Sequence, residues 1–191
     1  MCRYAGKSYK LHFACFGCRK AFRKPPVEDY MEQKGLIQKY NKLRFVHYNK
    51  TRLKKLETEL NVTRDELHNS YIEQINKCPQ CGNVMADLGR DIKVPRKNNQ
   101  KAWRILEGMY HLGHSFYTCG CDGIGFVPKN QTDFVRYLTY RLKDYQSQLK
   151  KADTDNGVNP TQKQGAQAYW EKRIIKIERE IKKCQSAAPL N

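Results

Sequence analysis

The chain has 191 residues, room for one generous domain or two small ones, and carries 36 Lys and Arg against 19 Asp and Glu, a formal net charge of +17. No stretch approaches the roughly 20 consecutive apolar residues of a membrane span, and the opening Met-Cys-Arg-Tyr-Ala-Gly-Lys-Ser-Tyr-Lys has no apolar h-region, so neither a membrane helix nor a secretory signal is expected. Eight cysteines without an export signal suit a reducing compartment, where close pairs more often bind metal than form disulfides; cytoplasmic localisation is the expectation.

In chain order, residues 1–27 hold seven basic residues (Arg3, Lys7, Lys10, Arg19, Lys20, Arg23, Lys24) and no acidic one. Tyr9, His12-Phe13-Ala14 and Phe16 surround Cys15-Phe-Gly-Cys18, which reads as a short strand entering a metal turn, and Pro25-Pro26 stops it. Residues 29–60 read as helical, with a break at Gly35. Beyond it Leu36, Tyr40, Leu43, Val46, Leu53, Leu56 and Leu60 recur at spacings of three, four and seven, an apolar stripe on an otherwise basic helix. Thr63-Arg-Asp-Glu66 is a capping-box signature, and Leu67, Tyr71 and Ile75 continue a second helix that Pro79 ends. Residues 82–99 are turn-rich. A short amphipathic helix is predicted from Lys101 to about Leu112 on Trp103, Leu106, Met109 and Tyr110, with Gly113 as its stop. Ser115-Phe-Tyr-Thr118 reads as an aromatic strand into Cys119-Gly-Cys121. Two further helices, 132–151 on Phe134, Leu138, Leu142, Tyr145 and Leu149, and 161–186 on Ala166, Trp170, Ile174, Ile177, Ile181 and Cys184, flank a short polar turn and predict an antiparallel hairpin. The fold class expected is α+β, mostly helical: a zinc-bound knuckle or ribbon centre (1–28 with 77–128), an inserted helical hairpin (29–76), a C-terminal helical hairpin (129–186), both coiled-coil-like, and a tail (187–191).

The chemistry sits in the cysteine pairs. Cys78-Pro-Gln-Cys81-Gly82 turns tightly, aims two thiolates at one point and offers backbone N–H groups to the sulfur charge, with Gly82 free to take positive φ. Cys15-Phe-Gly-Cys18 has the same spacing after an aromatic strand. Each pair is half of a tetrahedral thiolate site, so two must meet to complete one. On these two motifs the chain resembles zinc-ribbon proteins. The resemblance covers the knuckles and the short segments around them. It implies a structural zinc and carries no function, because such knuckles serve ribosomal proteins, transcription factors, transposases and enzymes alike.

The candidate ligands are Cys15, Cys18, Cys78, Cys81, Cys119 and Cys121, for one or two structural Zn2+ ions. Three arrangements stand open: Cys15/Cys18 with Cys78/Cys81, Cys78/Cys81 with Cys119/Cys121, or two metals using all six with a histidine or Cys2. In Cys119-Gly-Cys121, residues i and i+2 of an extended chain share a face, so both sulfurs can reach one ion. His111-Leu-Gly-His114, His12 and Cys2 are secondary candidates, each more readily read as packing, solvent-facing or terminal; Cys184 reads as core, and His47 and His68 as structural or phosphate-facing.

The charge pattern points to a polyanion. Basic residues alternate with aromatics through the first 24 positions, and residues 90–104 carry six basic residues against Asp91 alone. Lys7, Lys10, Arg19, Lys20, Arg23, Lys24, Arg96, Lys97 and Lys101 are the candidate nucleic-acid contacts, with Arg19, Lys20, Arg23 and Lys24 expected to be fixed in one place by the closed knuckle. Phe13, Phe16 and Phe22 are also read as a small core around the metal. The function expected is non-catalytic nucleic-acid binding, with structured RNA or a ribonucleoprotein such as the ribosome preferred to DNA on physical type. The alternative is a scaffold, an assembly factor or virion component that binds proteins through its helical stripes. A metal-dependent enzyme ranks third, with Asp122 as the carboxylate to suspect, since no phosphate-binding glycine loop, acid pair or Ser/His/Asp set stands out.

Overall fold

The computed structural model describes residues 10–117, 125–154, 157 and 159–186. Among them are three strands, β1 (Leu11–Cys15), β2 (Lys20–Lys24) and β3 (Ala86–Gly89). Seven helices accompany them: α1 (Val27–Gln33), α2 (Ile37–Phe45), α3 (Lys50–Leu60), α4 (Arg64–Ile75), α5 (Gln100–His111), α6 (Gln131–Thr154) and α7 (Pro160–Ser186). The protein is therefore mostly helical with a small antiparallel sheet. No described helix is long and apolar enough to cross a membrane.

The described residues form two compact units. The first runs to Val94 and resumes at Ser115; the second comprises Pro95–His114 and the chain from Phe126 onward. Helix α5 thus belongs with the C-terminal helices and not with the segment that precedes it.

In the first unit the strand order is β2-β1-β3. Strand β1 pairs antiparallel with β2, Phe13 opposite Phe22 and Cys15 opposite Lys20, and with β3, Ala14 opposite Ala86. The helices close over one face of this sheet. Phe13, Tyr30, Met31, Leu43, Leu67, Tyr71, Ile75 and Met85 form the core, with Phe22, Leu53, Leu56 and Leu60 packed against it. Fully burying a Leu or Ile side chain contributes about 1.5–3 kcal/mol, so Leu43, Leu67 and Ile75 together hold the helices to the sheet. Tyr71 Oη donates to the Pro25 carbonyl at 3.0 Å, which ties α4 to the exit of the β hairpin.

Three local features differ from the expectations. The stripe 36–60 is not one helix: Val46–Asn49 interrupts it, because Asn49 caps α3 by accepting from the Arg52 N–H at 3.0 Å. The segment 29–76 is accordingly four short helices. Strands β2 and β3 were both unforeseen, and β3 lies inside the stretch read as turns. Of the aromatic strand at 115–118, Phe116 makes a single parallel bridge to Gly89. Gly89 has φ +87°, and a Cβ there would stand 2.4 Å from the Phe116 carbonyl oxygen, so glycine is required. By contrast, the capping box is present as read: Thr63 Oγ1 accepts from the Glu66 N–H and Glu66 accepts from the Thr63 N–H.

In the second unit α6 and α7 run antiparallel side by side. Asp153 accepts from Gln167 near one end, the Tyr145 and Trp170 rings meet at 5.3 Å midway, and Cys184 bonds Gln131 near the other. Trp103, Ile105, Leu106 and Met109 bury one face of α5 in this unit. Gly108 lets α5 approach α6: a Cβ there would lie 2.8 Å from the Phe134 ring.

Candidate functional site

The sheet register explains how residues far apart in sequence converge. Strand β1 ends at Cys15, and the turn to β2 carries Cys18. Helix α4 ends at Ile75, and the chain turns through Cys78 and Cys81 before entering β3. Because β3 pairs with β1, the second turn is drawn beside the first. The Cys78 N–H donates to the Asn83 carbonyl and the Gly82 N–H to the Cys78 carbonyl, both at 2.8 Å, and Lys77 bridges Val84, which closes that turn.

The result is a cluster of Cys15, Cys18, Cys78 and Cys81, all of whose sulfurs lie within 4.8 Å of one another. Cys15 Sγ and Cys81 Sγ are 3.6 Å apart. Around a tetrahedral ion with metal–sulfur bonds of about 2.3 Å, neighbouring sulfurs stand about 3.8 Å apart. The four thiols can therefore hold one metal ion with little movement. Cys15 and Cys78 are buried and Cys81 is exposed, so the cluster is anchored in the core and open at one edge.

Thiols this close cannot all ionise without a cation among them, and the acidities of Cys15, Cys18 and Cys78 diverge accordingly. Burial raises the Cys15 thiol. Hydrogen bonding to Cys81, reinforced by burial, pushes Cys18 up to about 12. At Cys78 burial also opposes ionisation, but the N–H groups of Gln80 and Cys81 outweigh it and bring that thiol down to about 7. Cys78 is thus the readiest of these three thiols to ionise, and a metal ion bound in the cluster would displace the protons that remain.

The residue after the second cysteine takes positive φ in both knuckles: Gly82 at +74° and Arg19 at +51°. Glycine adopts that region freely, whereas a non-glycine residue is strained there by roughly 1–2 kcal/mol. The Arg19 Nε is also buried with no hydrogen-bond partner.

Among the described residues the cluster contains no other ligand. Cys119, Cys121, Cys2, Lys7 and Asp122 lie outside the described residues. His12 is not in the cluster: its Nδ1 is buried without a hydrogen-bond partner, and burial together with Arg23 lowers its pKa against the raising effect of the Gly89 and Arg90 backbone. His111 is exposed, and His114 lies 3.4 Å from Tyr137 Oη in the second unit. Cys184 sits half-buried on α7 as a core thiol, raised in pKa by burial.

The basic residues near the knuckle are not on one surface. Strand alternation puts Lys20 and Lys24 on the face of β2 shared with Phe22, while Arg23 lies on the other face, paired with His12. Lys10, Lys20 and Arg23 are exposed, and Arg19 and Lys24 are half-buried. Strand β2 is a sheet edge, where charged side chains also block edge-to-edge association. Phe13 is buried and Phe22 packs on the core, so both rings are structural. In the second unit Arg96, Lys97 and Lys101 are exposed around the start of α5, which Asn99 caps.

One feature escaped the sequence reading. Phe45 and Tyr48 are 72% and 75% exposed at the turn between α2 and α3, the largest exposures of any Phe, Tyr or Trp ring described. Arg44, His47, Asn49 and Lys50 beside them are also exposed. The stripe assigned Val46 to the core, and Val46 is buried; its neighbours Phe45 and His47 had to point outward, which the same period could have shown.

A scan against family models, a search of curated proteins and a search of solved structures each returned no match.

Proposed function

We propose that this chain is a non-catalytic nucleic-acid-binding protein whose basic knuckle is held by one structural zinc ion. The observation that carries the proposal is the four-cysteine cluster at the root of the basic edge strand. Zinc is the ion expected of a closed four-thiolate set, and such a set leaves no coordination position for a substrate water. That argues for a clamp and against a metal enzyme. The ion would contribute roughly 10–16 kcal/mol to folding.

The partner is inferred from charge and ring placement. A net charge of +17 favours a polyanion. Lys10, Lys20 and Arg23 supply exposed cations on the first unit, and Phe45 and Tyr48 supply exposed rings for unpaired bases. Cations with stacking rings suit RNA or a ribonucleoprotein better than the interior of a DNA duplex.

The test is charge reversal of the exposed Lys10, Lys20 and Arg23 to Glu, with affinity for a structured RNA measured across a salt series. Losing three phosphate contacts lowers the slope of log K against log salt by about two, at roughly 0.7 per contact on single strands. Unchanged affinity and slope would instead fit a protein-binding scaffold.

A further inference from the structure

In the second unit a cavity of about 70 Å³ opens between the end of α5 and the helices α6 and α7. Met109, His114, Tyr137, Arg141, Tyr145 and Arg173 line it, and no carboxylate does. A single water needs roughly 10–15 Å³ of such space, so the cavity admits a few waters or one oxyanion.

Its polar groups are arranged for an anion. Arg141 Nη2 and Arg173 Nη1 both donate to one oxygen, the Tyr145 hydroxyl, at 3.0 and 3.2 Å. Both guanidiniums also lie over the Tyr145 ring, at 4.9 and 5.6 Å from its centroid, and Arg173 stands 4.6 Å from that of Tyr169. Two like charges are thereby fixed side by side on a neutral acceptor. Asp144 offsets Arg141 at 3.5 Å, but no carboxylate among the described residues pairs with Arg173. Each guanidinium has five N–H donors, and most of theirs find no acceptor among the described residues. The Tyr145 hydroxyl accepts twice, which leaves its own proton to give. Burial and Arg141 lower the pKa of His114, which favours the neutral ring, able to donate as well as accept.

We propose that this cavity binds a phosphate group, carried either by a small phosphate compound or by the end of a nucleic acid. Two forked cations, a phenol and an imidazole offer more donors than the two oxygens of a carboxylate can use, whereas a tetrahedral phosphate accepts from all sides. The site is built wholly from residues of the second unit, and the proposal does not rest on the reading given above for the knuckle.

The experiment titrates the full chain with inorganic phosphate, against chloride at equal ionic strength, and follows the side-chain N–H resonances of Arg141 and Arg173. A saturable shift specific to phosphate is expected. Arg173→Gln and Tyr145→Phe should each weaken it roughly ten- to hundredfold, the effect of losing a hydrogen bond to a charged group. Arg179→Gln, exposed on the same helix, should leave it unchanged. Tyr145→Phe keeps the ring and its stacking, so it carries the test if Arg173→Gln loses helix content. Oligonucleotides with and without a 5′-phosphate separate the sources: a preference for the phosphorylated one assigns a nucleic-acid end, and equal binding assigns a small compound. No phosphate-specific shift, or a shift undiminished in both variants, overturns the proposal.

Discussion

Replacing Arg19 with glycine tests the knuckle in two ways at once. Arg19 sits at φ +51°, where Gly82 sits in the sister turn at +74°. Relieving the left-handed strain returns roughly 1–2 kcal/mol. The greater freedom of glycine in the unfolded chain takes back about 0.4–1 kcal/mol. The net is a stabilisation of about 0.5–1 kcal/mol, and removal of the buried, unpartnered Nε works in the same direction. For a chain of this size that raises Tm by about 2–4 °C at most. The assay is thermal unfolding of the zinc-loaded protein beside RNA affinity at fixed salt. Arg19→Gly should melt higher and bind RNA more weakly, because the substitution also removes a cation from the knuckle. A variant that melts lower would refute the strain argument. One that melts higher and binds RNA equally would remove Arg19 from the interface.

Other consequences of the structure can be checked in the same system. Cys78→Ser should abolish stoichiometric zinc and expose the amides of β1, β2 and β3 to hydrogen exchange, whereas Cys184→Ser, on α7, should leave zinc content at wild type. Phe45→Ala with Tyr48→Ala should cost about 1–3 kcal/mol per stacked base on single-stranded RNA, measured by titration, with little change in Tm because both rings are exposed. Thr63→Ala should cost about 1 kcal/mol by removing the α4 cap, read from urea unfolding. Its partner Glu66 has a pKa lowered by hydrogen bonds from the Thr63 backbone and side chain. That contribution is complete above the ordinary glutamate range and fades as pH falls through the lowered value, so acid should expose the first α4 amides in wild type more than it changes them in Glu66→Gln, which does not titrate.

The parts of this fold that announced themselves did so through long period or local chemistry. Helices α5, α6 and α7 each repeat an apolar stripe over three turns or more, and Thr63 with Glu66 spells a cap in four residues. Strand β3 is Ala-Asp-Leu-Gly, a run with turn-like composition; only pairing with β1 makes it a strand. The break at Val46–Asn49 was hidden because Leu36 to Leu60 keeps helical period across it, although Asn before Lys50 is a cap residue. At the candidate site, spacing marked each C-x-x-C turn but left their pairing open, since that depends on the β1–β3 register. The cavity beside Arg141 and Arg173 was invisible for the same reason: its groups are brought together by antiparallel helices, not by any local motif.

The central claim is that a metal ion at Cys15, Cys18, Cys78 and Cys81 holds the basic edge strand in a nucleic-acid-binding form. The most direct measurement is the salt dependence of RNA affinity before and after zinc is removed by a chelator and then restored. The account predicts that removal lowers both affinity and slope and that zinc recovers them. Binding with the same affinity and slope in the zinc-free protein would contradict it.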